Sequence, residues 1–225
     1  MEIIDNIPVS ISAEQVLRHL HLDEDGKYAG DVHGLIEVTQ PLIRPKAIYE
    51  VCYIDRKDED KVEISGVEFT SRVLRVNLDK VERVFSYIAT CGTEVQSVEV
   101  ESDDLMRKFV LDAIKQMALG VAVKHLRQHI DENFRPGQMS AMNPGSLEDW
   151  PISQQKQLFS IFGDVESLIG VRLTDSFLML PIKSVSGIYF PTEIKFESCQ
   201  LCPRERCQGR RAPYNAKLKE KYLSA

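Results

Sequence analysis

Long apolar runs are missing from this sequence. No stretch approaches the roughly 18 consecutive apolar residues that a membrane-spanning helix needs, and Met1–Asn6 has neither a basic leader nor an apolar core. The expectation is a cytoplasmic chain without a signal peptide. Positive charge is not in excess: 28 Lys and Arg against 34 Asp and Glu give a net charge of −6. That disfavours a general nucleic-acid binder. Cysteine is sparse, five in 225 residues. In a reducing compartment these five are expected as free thiols, or as ligands of a metal or cluster, rather than as disulfides. The familiar catalytic signatures are absent too, with no HExxH, no P-loop and no nucleophile elbow. His125 and His129 stand four apart on a helical stretch and read as solvent-side residues.

What is present is an ordinary globular composition, 43% hydrophobic and 28% charged. This allows one large domain with a real core, or one domain with small appendages. Ser12-Ala13-Glu14-Gln15 is a capping box that starts a helix. A second helix is expected over about 30–39, stopped near Pro41 and Pro45. Lys46–Ile54 is rich in β-branched and aromatic residues and reads as a strand, with Val62–Ile64 as its short partner. Val84–Thr90 is a buried-strand type of run, ended by Gly92. Leu105, Phe109, Ala113, Met117 and Val121 recur at near-helical spacing and predict the longest helix, from about 102 to 130.

From Asn133 to Pro151 the periodicity breaks at Pro136-Gly137 and Pro144-Gly145. Short helices are expected over about 153–162 and 164–169. Ser176–Pro181 and Ser184–Phe190 read as two strands joined tightly, and a terminal helix covers about 215–223. Adjacent strands with short connections favour an α+β fold, a central antiparallel sheet flanked by helices.

The last segment differs from the body. Between Cys199 and Tyr222 stand seven basic and two acidic residues, about +5 in a chain of net −6. Such a tail could dock on its own body, on a partner or on an anion, or be a solvated charge mix. It also holds Cys199-x-x-Cys202-x-x-x-x-Cys207. Two cysteines at that first spacing can grip one metal ion or one iron of a cluster, and a third can complete three corners. Cys91 and Cys52 are candidates for the fourth. The readings left open are an iron–sulfur cluster, zinc, plain thiols or a redox pair.

Residues Gly163–Met179, with Lys183-Ser184-Val185-Ser186-Gly187-Ile188-Tyr189-Phe190, carry a more specific pattern. It is a short acidic helix, then IG-x-x-LT-x-SF-x-M, then SVSG-x-YF. It resembles the activation domain of cobalamin-dependent methionine synthase. Thr90-Cys91-Gly92 and Asn143-Pro144-Gly145-Ser146 also sit where such modules carry a turn and a Pro-Gly loop. The specific likeness spans about 135–191 and a looser one about 85–191.

The resemblance implies an α+β module, expected over residues 1–192 with its N-terminal helical part about 1–45; the Cys-rich basic tail over 193–225 lies outside the matched pattern. It implies binding of S-adenosylmethionine, with Asn143, Pro144 and Gly145 along the ligand and Tyr189 and Phe190 closing the other side. Tyr and Phe adjacent on a strand point to opposite faces, so only one can line a given pocket unless the strand ends there. Two positions depart from the family pattern: Ala141 replaces an Arg, and Gly120 stands at or near a Glu.

The function so implied is a stand-alone accessory protein for reductive activation or remethylation of a methionine synthase-type corrinoid methyltransferase. No DxHxxG cobalamin loop occurs, so cobalamin would be reached only through a corrinoid-binding partner or methionine synthase core subunit, with a possible electron donor. The alternatives are a non-catalytic scaffold with a decayed S-adenosylmethionine site, and an iron–sulfur electron-transfer partner using Cys199, Cys202 and Cys207, with Cys91 a candidate fourth ligand.

Overall fold

The computed structural model describes residues 1–207 and 209–223. In chain order the elements are β1 (Glu2–Ile4), α1 (Ala13–Leu20), α2 (Ala29–Thr39), β2 (Lys46–Lys57), β3 (Lys61–Ile64), β4 (Val67–Thr70), α3 (Arg72–Asn77) and β5 (Arg83–Thr90). There follow α4 (Leu105–Phe134), β6 (Met139–Met142), α5 (Gln155–Ser160), α6 (Val165–Ile169), β7 (Arg172–Leu173), β8 (Met179–Leu180), β9 (Ser184–Pro191) and α7 (Ala216–Leu223).

Seven strands form one antiparallel sheet in the order β4-β3-β2-β5-β9-β6, with β1 also pairing β2. The α+β reading with helices flanking an antiparallel sheet therefore holds. Strand alternation sorts the side chains to two faces. Tyr49, Phe85, Tyr87, Ala89 and Tyr189 pack with α1, α2 and the inner stripe of α4, which includes Val110, Ile114, Ala118 and Leu126. Cys52, Val84, Ile188 and Phe190 pack on the other face, with Phe69, Leu74, Trp150 and Leu158.

The cap expected at Ser12 is formed. The Ser12 hydroxyl accepts from Gln15 N, and Gln15 Oε1 accepts from Ser12 N, which closes the capping box of α1. Asp104 caps α4 and Asp164 caps α6.

Two expectations need correction. The segment Ser176–Pro181 is not a partner strand of β9. Only Met179–Leu180 is extended, and it pairs with Arg172–Leu173 in a separate two-stranded ribbon. The partners of β9 are β5 and β6. The break after Asn133 also contains a strand, β6, whose four residues are too few to announce a period.

The basic tail is docked on the body. Phe196 and Leu201 are buried in the core that holds Trp150 and Phe190. Phe196 stacks on Tyr222 with ring centroids 5.4 Å apart. Tyr222 donates to Asn77 Oδ1 at 3.0 Å, and Arg72 Nε donates to the Tyr222 carbonyl at 3.1 Å. Among the described residues no helix is long and apolar enough to cross a membrane.

Candidate functional site

The pairing of β6 with β9 sets Ala141 against Tyr189 and Met142 against Ile188, so the chain leaves the sheet at Asn143 beside Gly187. Gly187 has no side chain for a steric reason. A Cβ there would collide with Asn143 Nδ2 and lie 2.6 Å from the Met142 carbonyl oxygen. In the space so released, Asn143 Nδ2 donates to Tyr87 Oη at 2.9 Å and to the Ser186 carbonyl at 2.7 Å. The Tyr87 ring stacks on that of Tyr189, centroids 4.2 Å apart and planes 12° from parallel. Burial pushes both phenols above their ordinary pKa, so they stay neutral hydrogen-bonding groups. The result is a buried polar cluster of Asn143, Tyr87, Tyr189 and the Ser186 carbonyl.

Beyond Asn143 the loop turns back. Pro144 is buried. Gly145 adopts φ +84°, a left-handed conformation that favours glycine. Its N–H donates to the Trp150 carbonyl at 2.8 Å. Trp150 is fully buried and meets Phe69 edge to face at 5.9 Å, which anchors the loop's far end. Asp149 accepts from Ser71 Oγ and, at 2.9 Å, from Val73 N, so its carboxylate holds the start of α3. The exposed side of the loop lines a cavity of about 560 Å³ with Gly145, Ser146, Asp149, Leu201, Cys202 and Lys219 among its walls. That size is within the usual range of small-molecule sites. A larger cavity of about 790 Å³ lies at the other end of β9, between Arg83, Pro191, Lys195 and Tyr222.

The residues expected along one ligand therefore divide. Asn143 and Tyr189 meet through Tyr87, on the α4 face of the sheet. Gly145 faces the cavity beneath the tail. Phe190 is fully buried on the opposite face from Tyr189, in the Trp150 core, so it does not close over a site with Tyr189. Strand alternation dictates this, since β9 continues through Pro191. Gly120 is exposed on α4, and a Cβ there would meet nothing. Ala141 is half-buried opposite Tyr189.

Sequence reasoning missed Tyr87, Ser186 and Gly187 as parts of the cluster. The signal is the register of β5 on β9, which pairs Tyr87 with Gly187, and it exists only once the sheet is assembled. The remaining motif residues interlock. Thr90 Oγ1 accepts from Gly92 N at 3.3 Å and from Ser184 Oγ at 2.9 Å. Gly170, at φ +75°, lies under Thr93, whose methyl would be 2.8 Å from an added Cβ. The turn after β5, the end of α6 and the start of β9 thus specify one another.

The cysteines do not form the expected ligand set. Among the described residues no three His, Cys, Asp or Glu side chains converge to hold a metal. Cys91 is fully buried on the α4 face, whereas the tail packs through Leu201 on the other face, so Cys91 cannot complete a cluster with Cys199. Burial raises the Cys91 thiol to about 11. Cys52 is buried as well, and its thiol is likewise raised by burial.

Cys199 and Cys202 are half-buried and Cys207 is exposed. Burial alone would raise the Cys199 thiol, but the amides of Arg211 and Ala212 and the Arg211 charge outweigh it and hold the thiol below its ordinary value. The loop around them is fastened by Arg210, whose guanidinium donates to the carbonyls of Cys199 at 3.1 Å, Ala212 at 3.2 Å, Cys202 at 3.3 Å and also Arg204.

Residues 137–205 match the family described as vitamin B12 dependent methionine synthase, activation domain. The matched span takes in the Asn143–Gly145 loop, β9 and the first two tail cysteines. No curated protein matches the chain. Among solved structures, the chain is similar to the MetH reactivation domain bound to AdoHcy, at 15% identity and a TM-score of 0.58, covering 88% of this chain and 81% of that one. At that identity the likeness establishes the fold: this chain has the architecture of a methionine synthase reactivation domain.

Proposed function

We propose that this chain acts in the reductive remethylation of a corrinoid held by a separate methionine synthase-type partner, and that it binds S-adenosylmethionine along the Asn143–Pro144–Gly145 loop. The observation that carries this reading is the match to the activation-domain family over 137–205, which includes that loop and β9. The similar solved structure has AdoHcy bound, the product form of the same ligand class. Support from the geometry is local. The loop is rigidly placed by Asn143 and Trp150, and its glycine borders a cavity of suitable size. A backbone fixed before the ligand arrives lowers the ordering cost of binding. When bound, the ligand would supply the methyl group; the chain's own contribution is to hold and orient it.

Ala141 and Gly120 support a second reading. An arginine at the first position could pair bidentately with a ligand carboxylate, which alanine cannot do. Here the fold would persist as a scaffold on the corrinoid protein. Calorimetry of the full chain with S-adenosylmethionine and S-adenosylhomocysteine separates the two readings. Saturable binding, weakened about tenfold or more by Asn143→Ala, is the expected result. No heat at millimolar ligand would leave the scaffold. The remethylation role is checked by mixing the chain with a cobalamin-containing partner, a reductant and S-adenosylmethionine. Methylcobalamin spectra should return, and their failure to appear would remove it.

A further inference from the structure

We infer that Cys199 and Cys202 form a reversible dithiol pair that exchanges with low-molecular-weight disulfides, a modification site on the wall of the cavity beside the Pro-Gly loop. This inference is independent of whether S-adenosylmethionine binds.

The geometry begins with the turn. Ser198–Gln200 forms a single helical turn of the tighter kind, and Cys202 N reaches the Cys199 carbonyl at 3.4 Å. A turn closed from one residue to the third beyond it brings their Cα atoms within about 7 Å. A disulfide bridges Cα atoms about 4.4–6.8 Å apart. The backbone turn thus brings the two Cα atoms close to the separation a disulfide spans. Arg210 keeps them there, since it bonds the carbonyls of both Cys199 and Cys202.

The two sulfurs sit in different surroundings. Cys199 Sγ accepts the Arg211 N–H at 3.5 Å, beside an Arg211 side chain held at 3.1 Å by Glu197. An N–H donor and a nearby guanidinium are the surroundings that favour a thiolate nucleophile. Cys202 lines the cavity with Gly145 and Ser146. Cys207 is exposed and lies outside this turn.

The exchange proceeds in two steps. The Cys199 thiolate attacks one sulfur of the small disulfide, forming a mixed disulfide and releasing one small thiolate. Cys202 then attacks the Cys199 sulfur, gives up its proton, and releases the second small thiol. The protein dithiol is oxidised by two electrons and one small disulfide is reduced to two thiols. A reducing pool reverses both steps.

Glutathione disulfide is the probe, used on the full-length reduced chain, with acid quenching, alkylation and peptide mass mapping. The wild type should yield a Cys199–Cys202 disulfide with no glutathione left on either residue, two glutathiones being released for each such disulfide formed. Cys202→Ser should instead accumulate glutathione on Cys199, and Cys207→Ser should behave as wild type. Circular dichroism checks that each variant remains folded. Three results would overturn the inference: a stable adduct on Cys199 in the wild type, loss of the internal disulfide in Cys207→Ser, or thiols that react only after a chelator is added. The last would make the cysteines metal ligands.

Discussion

At the scale of single residues, Asn143 and Gly187 form one device. The side chain of Asn143 occupies the volume that a Cβ on residue 187 would need, and from there it ties the end of β6 to β9 and to Tyr87. Gly187→Ala sets a methyl against both Asn143 Nδ2 and a backbone carbonyl. Backbone cannot swing aside as a flexible side chain can, so the cost should be about 1–3 kcal/mol. A urea titration should show a lower midpoint with an unchanged slope. Asn143→Ala leaves Tyr87 Oη and the Ser186 carbonyl without a donor, a loss of about 1–3 kcal/mol. Asn143→Asp is nearly isosteric, yet it turns an acceptor towards the Ser186 carbonyl. It should destabilise at least as much as the alanine. An aspartate variant as stable as wild type would show that these two hydrogen bonds contribute nothing.

At the scale of elements, the legible parts were those with a long period or a cap. The capping box of α1 and the β-branched run of β5 stand in the structure near where the residues place them, and so does the helix α4 itself, but its stripe is shifted: Leu105 and Phe109 are exposed, and the buried face runs through Val110, Ile114, Ala118 and Leu126. The strand β6 was not legible. Its role comes from where β9 lies, and four residues carry no pattern of their own. The ribbon of β7 and β8 was misread for a related reason. An apolar run with Pro181 after it looks like a strand, but Leu178 is well exposed and only Met179 and Leu180 find a partner. The site was legible to the same degree. The Asn143–Gly145 loop was evident from its turn chemistry, whereas Tyr87 became part of the site only through sheet register.

In the Cys-rich segment one side chain makes most of the bonds to the loop's carbonyls. Arg210 bonds four carbonyls spread over Cys199 to Ala212. Arg210→Ala should release the segment, speeding proteolysis within residues 203–212 several-fold while the melting temperature of the body changes little. Arg210→Lys should fail to restore protection, because an ammonium is a point donor and cannot span a fan of acceptors. Full protection in the lysine variant would assign the effect to charge alone.

At the scale of the whole molecule, the fold buries several weak acids wholly or in part in their neutral form. The thiols of Cys52 and Cys91 and the phenols of Tyr49, Tyr87, Tyr189 and Tyr222 are all raised, in each case chiefly by burial. Each binds its proton more tightly in the folded chain than in the unfolded one. Their contribution to stability is therefore fully present below the unfolded values and is lost as pH rises through the folded ones. For Cys91, between an ordinary value near 9 and a folded value of about 11, the linked stability is on the order of 2–3 kcal/mol. Thiols ionise before phenols in the unfolded chain, so the loss should begin near pH 9 and steepen above 10. Urea titrations at intervals from pH 7 to 11 should show a plateau followed by this decline. Cys91→Ala lowers stability at every pH, because it removes a buried sulfur. It also removes one titrating group, so its decline between pH 9 and 11 should be shallower than the wild type's. Parallel curves for the two proteins would mean that Cys91 does not hold its proton in the folded state, and that its place at the end of β5 is open to solvent.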